Sequence, residues 1–198
     1  VFAALGKIEA SGFDELRVTG TTFFTGTVIT DVERLSYHAL TGGTITINAA
    51  AFASFTALAL SAYGTPGGVV STGLIQGIGG TYDFSTKVIQ LALGDALPIV
   101  RFLGGNGDEV VRGTAAGDEL DGGRGSNRVA GLEGDDFLSG AGTIEGGNGA
   151  DTVRDTQSAS TNDLLDGGAG DDLVISFAGA DTLLGGAGAD SLQGGGGL

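Results

Sequence analysis

The sequence predicts an all-β solenoid, and three observations support this prediction. A nine-residue pattern recurs through residues 104–198. A large aliphatic residue occupies the same place in the units, as short strands that stack over one shared core require. Glycine supplies 40 of the 198 residues, well above its usual share of about 7%. Because only two prolines occur and no triplet period is present, these glycines do not indicate collagen.

The charge divides the chain into two predicted regions, residues 1–103 and residues 104–198. The second region carries 17 acidic residues against four arginines, a net charge of −13. The first region carries seven acidic residues against five basic ones, a net charge of −2. The total of −15 argues against nucleic acid and anionic membrane surfaces as partners, because both would repel the chain. A cation is the partner that this charge favours.

Several classes of function lack their sequence signatures. The chain has no cysteine, so it offers neither disulfides nor thiolate metal sites. His38 is the only histidine, and neither HExxH nor GxSxG occurs. No apolar run approaches the length of a membrane span. We therefore predict no catalytic residue and no membrane insertion. The chain begins at Val1 without a basic leader region, and we expect it to be a fragment of a larger protein.

The repeat is interrupted once by a short unit and once by a long one. The nine-residue units are GGNGDEVVR (104–112), GTAAGDELD (113–121), GGRGSNRVA (122–130), GLEGDDFLS (131–139), GGNGADTVR (146–154), GGAGDDLVI (167–175), SFAGADTLL (176–184) and GGAGADSLQ (185–193). The short unit GAGTIE (140–145) lacks three residues and the long unit DTQSASTNDLLD (155–166) gains three, so the two changes cancel. One series, spaced by whole multiples of two units, contains Asp118, Asp136, Asp172 and Asp190, and a second contains Asn127, Glu145, Asp163 and Asp181.

These units resemble the RTX nonapeptide G-G-x-G-x-D-x-U-x, in which U is a large aliphatic residue. The resemblance covers about half of the chain. It implies a right-handed parallel β-roll or β-helix solenoid with two nonapeptides per turn and several Ca²⁺ ions held in the turns. It also implies a secreted bacterial protein that is exported unfolded by type I secretion and folds on meeting calcium outside the cell.

The spacing has a physical reason that does not depend on the resemblance. Stacked strands lie about 4.8 Å apart, so carboxylates one turn apart repel by roughly 1 to 3 kcal/mol. A divalent cation between them reverses this sign, and Ca²⁺ suits a flexible cage of carboxylate and carbonyl oxygens better than Mg²⁺. The predicted metal-binding residues are Asp118, Asp136, Asp151, Asp163, Asp172, Asp181 and Asp190, with the turn glycines Gly104, Gly122, Gly146, Gly167, Gly168, Gly170, Gly185, Gly186 and Gly188.

The predicted sites differ in quality. Glu109 and Asn127 replace aspartate at position 6 of the unit, so we expect their sites to be weak or empty. Arg154 occupies the series position between two aspartates, which predicts an interrupted column there. Asp151 is three residues out of phase, and its role depends on how the short unit folds. We expect the strongest sites between Gly167 and Asp190.

Two other repeat positions have predicted environments. We expect positions 7 to 9 to form a short strand that directs only position 8 inward. That row consists of Val111, Leu120, Val129, Leu138, Val153, Leu165, Val174, Leu183 and Leu192. Asp135 and Asp171 stand at position 5, where we expect them to face solvent.

The first region is predicted to continue the solenoid as degenerate, metal-free rungs. Alternating apolar and polar residues indicate strands within 14–20, 27–37, 43–52, 56–63 and 87–93. Glu15 and Glu33 are separated by the length of two nonapeptides, which equals one turn of the later repeat. Residues 64–86 carry turn signals and predict a protruding loop or an irregular rung. A separate β-sandwich for residues 1–103 is the alternative.

The function that these features favour is that of a calcium-dependent structural or assembly module. Its setting would be a secreted bacterial surface protein, as part of an S-layer, a fibre or an adhesin stalk, and self-association is one expected partner. The alternative is an accessory module of a secreted polysaccharide-modifying enzyme, lipase or protease whose catalytic domain is elsewhere. A third interpretation is an adhesin module that binds carbohydrate or protein through residues 1–103.

Overall fold

The computed structural model describes residues 15–19, 22–24, 34–39, 44–47, 49–54, 57–62, 74–77, 79–86, 88–90, 100–155 and 161–196. The first strands are β1 (Glu15–Thr19), β2 (Thr22–Phe24), β3 (Arg34–Ala39), β4 (Thr44–Ile47), β5 (Ala57–Ala62), β6 (Leu74–Gln76), β7 (Gly80–Asp83), β8 (Val88–Gln90) and β9 (Arg101–Leu103). The later strands are β10 (Glu109–Arg112), β11 (Glu119–Asp121), β12 (Asn127–Glu133), β13 (Phe137–Gly140), β14 (Gly142–Asn148), β15 (Thr152–Asp155), β16 (Leu164–Ala169), β17 (Leu173–Ile175), β18 (Thr182–Ala187) and β19 (Ser191–Gln193). One helix, α1, spans Ala49–Ser54, and a 3₁₀ turn spans Phe84–Thr86.

The strands form a parallel solenoid, which confirms the predicted fold class. They make three sheets, in the orders β1-β3-β5-β8, β18-β16-β14-β12-β10-β7 and β19-β17-β15-β13-β11-β9-β6-β4-β2. From β9 onward, consecutive strands alternate between the second and third sheets, so two strands make one coil. The nine-stranded sheet passes residue 104 without a break, since β9 pairs with β6 before it and β11 after it. The first region therefore contributes rungs to the same solenoid, and the division of the chain at residue 104 stays a prediction about folding units.

Strand register follows the repeat in the second region and departs from it in the first. Val111 lies opposite Val129, two nonapeptides later, as the spacing predicts. In the first region Glu15 lies opposite Arg34, so the predicted alignment of Glu15 with Glu33 is wrong by a single position. Later coils there are longer still: Thr44 lies opposite Leu74, and the intervening chain is more than one and a half times as long as a turn of the repeat.

The strands predicted over 14–20, 27–37, 56–63 and 87–93 are found in their described parts, whereas residues 27–33 and 91–93 lie outside the described residues. The strand predicted over 43–52 needs a correction. Strand β4 ends at Ile47, and residues 49–54 form α1 instead of continuing the strand predicted over 43–52. The described part of the stretch 64–86 contains β6, β7 and the 3₁₀ turn, as the predicted irregular rung requires, and residues 64–73 lie outside the described residues. Within the described part of the chain, no helix has the length and apolar character that crossing a membrane requires.

The core is a continuous apolar row. Every predicted position-8 residue from Val111 to Val174 is fully buried, whereas Leu183 is half-buried and Leu192, in the last described strand, is 46% exposed. The short unit adds Ile144, which is also fully buried. Toward the first region the row continues into aromatic side chains in tilted and edge-on contact, namely Phe52, Tyr82, Phe84 and Phe102.

Strand length differs between the two faces of the later coils. Strands β11, β13, β15, β17 and β19 have three or four residues, as predicted. Strands β12, β14, β16 and β18 have six or seven, because they run on into the first positions of the following unit. The glycine-rich turns on that face are therefore themselves paired from coil to coil.

Candidate metal centre

Five of the position-6 aspartates form a column along one edge of the solenoid. In each case Oδ1 accepts the backbone N–H of the column residue one coil earlier. The pairs, with N–O distances, are Asp118 with Val100 (2.9 Å), Asp136 with Asp118 (2.7 Å), Asp151 with Asp136 (2.8 Å), Asp172 with Asp151 (2.8 Å) and Asp190 with Asp172 (3.1 Å). The column thus runs unbroken through five aspartates. We call it the first column.

The expected interruption of this column at Arg154 is wrong. Strand β15 follows β13 after a coil that contains the short unit, so Leu138 is opposite Val153 and Ser139 is opposite Arg154. This register places Asp151 directly after Asp136 in the column. The Arg154 side chain is exposed, and its guanidinium carbon lies 4.6 Å from the centre of the Phe137 ring.

The second carboxylate oxygen of three column aspartates is buried and receives no hydrogen bond from the described residues. These atoms are Oδ2 of Asp136, Asp151 and Asp172. Each faces the first glycine of its own unit; for Asp172, Oδ2 lies 2.5 Å from the place where a Cβ on Gly167 would stand. A buried, ionised oxygen without a donor is costly. A cation removes that cost.

Burial changes the acidity of these groups. Desolvation raises the pKa of Asp136 to about 7, although the N–H of Asp118 favours the charged form, and the neighbouring carboxylates add to the rise. Burial also raises the pKa of Asp151 to about 6. The pKa of Asp172 is raised for the same first reason, with further repulsion from Asp190. The column therefore resists ionisation unless positive charge is supplied.

Asp118 differs from the other column members because a side chain satisfies it. Its Oδ2 accepts the backbone N–H of Thr114 at 2.7 Å and the Thr114 hydroxyl at 3.0 Å. Desolvation still raises the pKa of Asp118. Since both oxygens already have donors, Asp118 has less need of a cation than Asp136.

A second column occupies the opposite edge, and here the predicted place of Glu145 is wrong. The register of β12 with β14 puts Gly142 opposite Asn127 and puts Glu145 opposite Ala130. Glu145 is instead half-exposed and paired with Arg128 at 2.8 Å. The second column consists of Glu109, Asn127, Gly142, Asp163 and Asp181. A side-chain oxygen accepts the N–H of the preceding member at Asn127, Asp163 and Asp181. Gly142 has no side chain, and the N–H of Asn127 donates instead to the carbonyl oxygen of Ala141.

Asn127 shows how this turn is satisfied without a metal. Its Oδ1 accepts the N–H of Glu109 at 2.9 Å, as the aspartates do. Its Nδ2 donates to the carbonyl oxygens of Gly123 and Arg124, both at 3.2 Å. An ionised carboxylate in this place has no hydrogen to donate to such carbonyls, and a cation can join the two sets of oxygens. The weak or empty site expected at Asn127 stays a prediction.

Position 5 forms a third ladder that the sequence reasoning missed. Asp135 and Asp171 are exposed, as predicted. However, their Oδ1 atoms accept the N–H groups of Ala150 and Ala189 in the next coil, each at 2.8 Å. A position-5 aspartate thus accepts an N–H from the following coil, whereas a first-column aspartate accepts one from the preceding coil. The recurrence of Asp or Asn at position 5 was the available signal.

The predicted glycines line the turns, where a side chain would not fit. At Gly170, φ is +138° and a Cβ would collide with the carbonyl oxygen of Gly149 one coil earlier. The same collision occurs at Gly188 with Gly170, and positive φ angles recur at Gly168 and Gly186. The glycines at position 1 leave space against the position-6 side chain or the next coil; they are Gly104, Gly122, Gly146, Gly167 and Gly185.

The donor set fits calcium. It consists of carboxylate oxygens and backbone carbonyl oxygens held at stacked turns, and Ca²⁺ binds six to eight such oxygens in flexible geometry. The unsatisfied Oδ2 atoms of Asp136, Asp151 and Asp172 are the ones that require it most. The assignment of individual ligands, including Asp118 and the glycines, stays a prediction.

Comparison with known families agrees with this chemistry. The model of the RTX calcium-binding nonapeptide repeat matches the chain in four copies, at residues 103–138, 139–155, 159–176 and 175–197. No curated protein and no solved structure matched the chain. The matched segments contain both columns of carboxylates from Asp118 onward, and calcium is the cofactor of these repeats.

Proposed function

Residues 103–197 of this chain belong to the RTX calcium-binding nonapeptide repeats, and from this premise we propose that the chain is a calcium-folded structural module of a secreted bacterial surface protein. In this role the module extends or joins a surface layer, a fibre or an adhesin stalk. Calcium outside the cell is the signal that completes its fold.

The observation that carries the proposal is the set of buried Oδ2 atoms without donors in the first column. Ionised, these oxygens oppose the stacking of the coils. With Ca²⁺ between the turns, the same oxygens favour it. Because the stacked turns exist only in the folded chain, the binding free energy of calcium becomes folding free energy. The repeats would stay unfolded in a low-calcium compartment and would fold in an external medium rich in calcium.

A structural role also fits the distribution of the carboxylates better than a catalytic one. In the first column an aspartate recurs at each coil and accepts an N–H from the coil before it, whereas an active site would gather different groups at one place. Among the described residues, the one group of three carboxylates close enough to share a metal lies beside the long unit. The RTX repeat is itself a calcium-binding structural module.

The test combines circular dichroism with light scattering on the whole chain. In chelator we expect most of the β signal to be lost, and in millimolar CaCl₂ we expect it to return; MgCl₂ at the same concentration is the control and should restore much less. A β signal that chelation leaves unchanged overturns the proposal. A molar mass by light scattering that increases when calcium is added supports an assembling surface unit. A calcium-folded monomer supports instead the accessory module of a secreted enzyme.

A further inference from the structure

One buried acidic residue of the second region belongs to neither column. Asp155 ends β15, opposite Gly140 of the previous coil, and thus stands where the repeats carry their position-1 glycine. In the regular units that glycine faces the position-6 carboxylate of its own turn, as Gly167 faces Asp172. A side chain at position 1 is therefore directed into the space that the carboxylate borders. Here the side chain is itself a carboxylate.

The structure brings Asp155 together with two members of the second column. One oxygen each of Asp155, Asp163 and Asp181 lies within 4.8 Å of the other two, and this is the only group of three or more such ligands among the described residues. The separation suits oxygens that share one ion, since opposite ligands of Ca²⁺ lie about 4.6 to 5.2 Å apart at its usual bond lengths.

The hydrogen bonds of Asp155 point to a ligand. The residue is only 2% exposed. Its Oδ2 accepts the backbone N–H of Phe177 at 3.0 Å, while its Oδ1 is buried and receives no hydrogen bond from the described residues. By contrast, both oxygens of Asp163 have donors, the N–H of Gly142 and the hydroxyl of Thr161. The buried oxygen without a donor is thus Oδ1 of Asp155, which stands where the regular repeat has glycine.

A neutral oxygen donor lies beside the group. The carbonyl oxygen of Thr161 and Oδ1 of Asp181 both face Gly179, where a Cβ would stand 2.8 Å from the Asp181 oxygen and would collide with the carbonyl. The absence of a side chain at Gly179 keeps that side of the group open. Three carboxylates and a nearby carbonyl form a donor set for a hard divalent cation.

We propose that Asp155, Asp163 and Asp181 bind one Ca²⁺ at a site built differently from the repeat sites, with the third carboxylate supplied at position 1 by the long unit. This inference rests on the proposed calcium-folded module. Because three negative charges face the ion where the column pairs offer two, the site binds calcium more tightly than a repeat site of two carboxylates. It also joins the beginning of the long unit to the coil that follows it.

The test is calcium titration of the whole chain by isothermal calorimetry, comparing Asp155→Asn with the unsubstituted chain. Asparagine keeps an oxygen that accepts the N–H of Phe177 but removes the charge, so a purely structural role is preserved. The matched control is Asp121→Asn. The Asp121 side chain is half-buried and also accepts one backbone N–H, that of Gly123 at 2.7 Å, but it lies outside the group of three.

We expect Asp155→Asn to bind one calcium ion fewer, or to weaken the tightest class of site at least 10-fold, while Asp121→Asn titrates like the unsubstituted chain. Equal stoichiometry and affinities for Asp155→Asn and the unsubstituted chain overturn the inference and leave the proposed function intact. An unsubstituted chain that takes up no calcium overturns both. If Asp155→Asn does not fold in saturating calcium, Asp155→Ser is titrated instead. Serine is chosen because Ser176 stands at the equivalent place one coil later.

Discussion

Replacing Asp136 by asparagine should change stability in opposite directions with and without calcium. In the structure Asp136 accepts the N–H of Asp118 through Oδ1 and buries an Oδ2 that has no donor among the described residues. Asn127 occupies the equivalent place in the second column and uses its amide to donate to two turn carbonyls. The Asp136→Asn variant should adopt the same arrangement. It then needs no cation.

The size of the effect follows from the pKa of Asp136. A rise from 3.8 to about 7 corresponds to at most about 4 kcal/mol of opposition to the ionised fold at pH 8. Water near the turn screens this, and we take about 2 kcal/mol. Without calcium, the ratio of folded to unfolded coils in Asp136→Asn should then rise about 30-fold. With calcium, the lost carboxylate weakens the two sites it adjoins, and a tenfold loss at each reduces the calcium stabilisation by about 3 kcal/mol.

The assay is far-ultraviolet circular dichroism at pH 8, in chelator and in saturating calcium, with urea titration wherever a folded baseline exists. Glu133→Gln is the matched control, because it removes the same charge from the same unit at an exposed side chain that accepts only the Asn148 amide. The control should follow the unsubstituted chain in both media. The reasoning fails if Asp136→Asn is less folded than the unsubstituted chain in chelator, or if calcium stabilises the two equally.

Three further changes test the turns and the core. Asp136 and Asp151, whose pKa values rise to about 7 and about 6, bind protons more tightly in the folded chain than in the unfolded one. The calcium-free fold is therefore favoured below those values and loses this stabilisation as the pH rises. The β signal in chelator should be larger at pH 5 than at pH 8, whereas calcium affinity should be higher at pH 8. Gly170→Ala places a Cβ against the carbonyl oxygen of Gly149 at a φ of +138°, whereas a Cβ at the control position Gly194 meets no atom within 4 Å. Gly170→Ala should therefore lower the free energy of unfolding by at least about 2 kcal/mol in a urea titration with calcium, and Gly194→Ala should not. Leu120→Ala should cost about 2 to 5 kcal/mol in the same titration because Leu120 is fully buried, and Leu192→Ala, at 46% exposure, less than half as much.

The solenoid was predictable because its core repeats. Short strands bury little alone, so an aliphatic residue at every position 8 leaves stacking as the way to remove that row from water. The first region lacks such a row in its sequence, since its coils vary in length. That is why α1 and the long coil between Thr44 and Leu74 could not be foreseen. Burial of Phe52 against Tyr82 and Phe84 replaces the missing repeat there.

The errors in the site prediction share one cause. A series of fixed spacing, with the short unit as three missing residues, places Glu145 in the second column and Arg154 in the first. The register is set instead by the apolar row: Ile144 lies opposite Val129, and the next coil follows from it. Aligning GAGTIE by its isoleucine would have put glycine at position 6 and Asp151 in the first column. The hydrophobic pattern is thus a better guide to the register of the short unit than the spacing of the carboxylates.

The turns differ in what satisfies the second polar atom of the position-6 side chain, and the order of these differences along the chain has a consequence for folding. Where the position-6 side chain is Asn127, an amide supplies the missing donor. At Asp118 a threonine supplies it. From Asp136 onward neither device is present in the first column, and Oδ2 stays without a donor at Asp136, Asp151 and Asp172. The turns of Asn127 and Asp118 adjoin the aromatic core of the first region, where Oε2 of Glu109 is the buried carboxylate oxygen without a donor among the described residues. We therefore expect these coils to depend less on calcium than the later ones, whose first-column carboxylates at Asp136, Asp151 and Asp172 have neither an amide nor a threonine as donor.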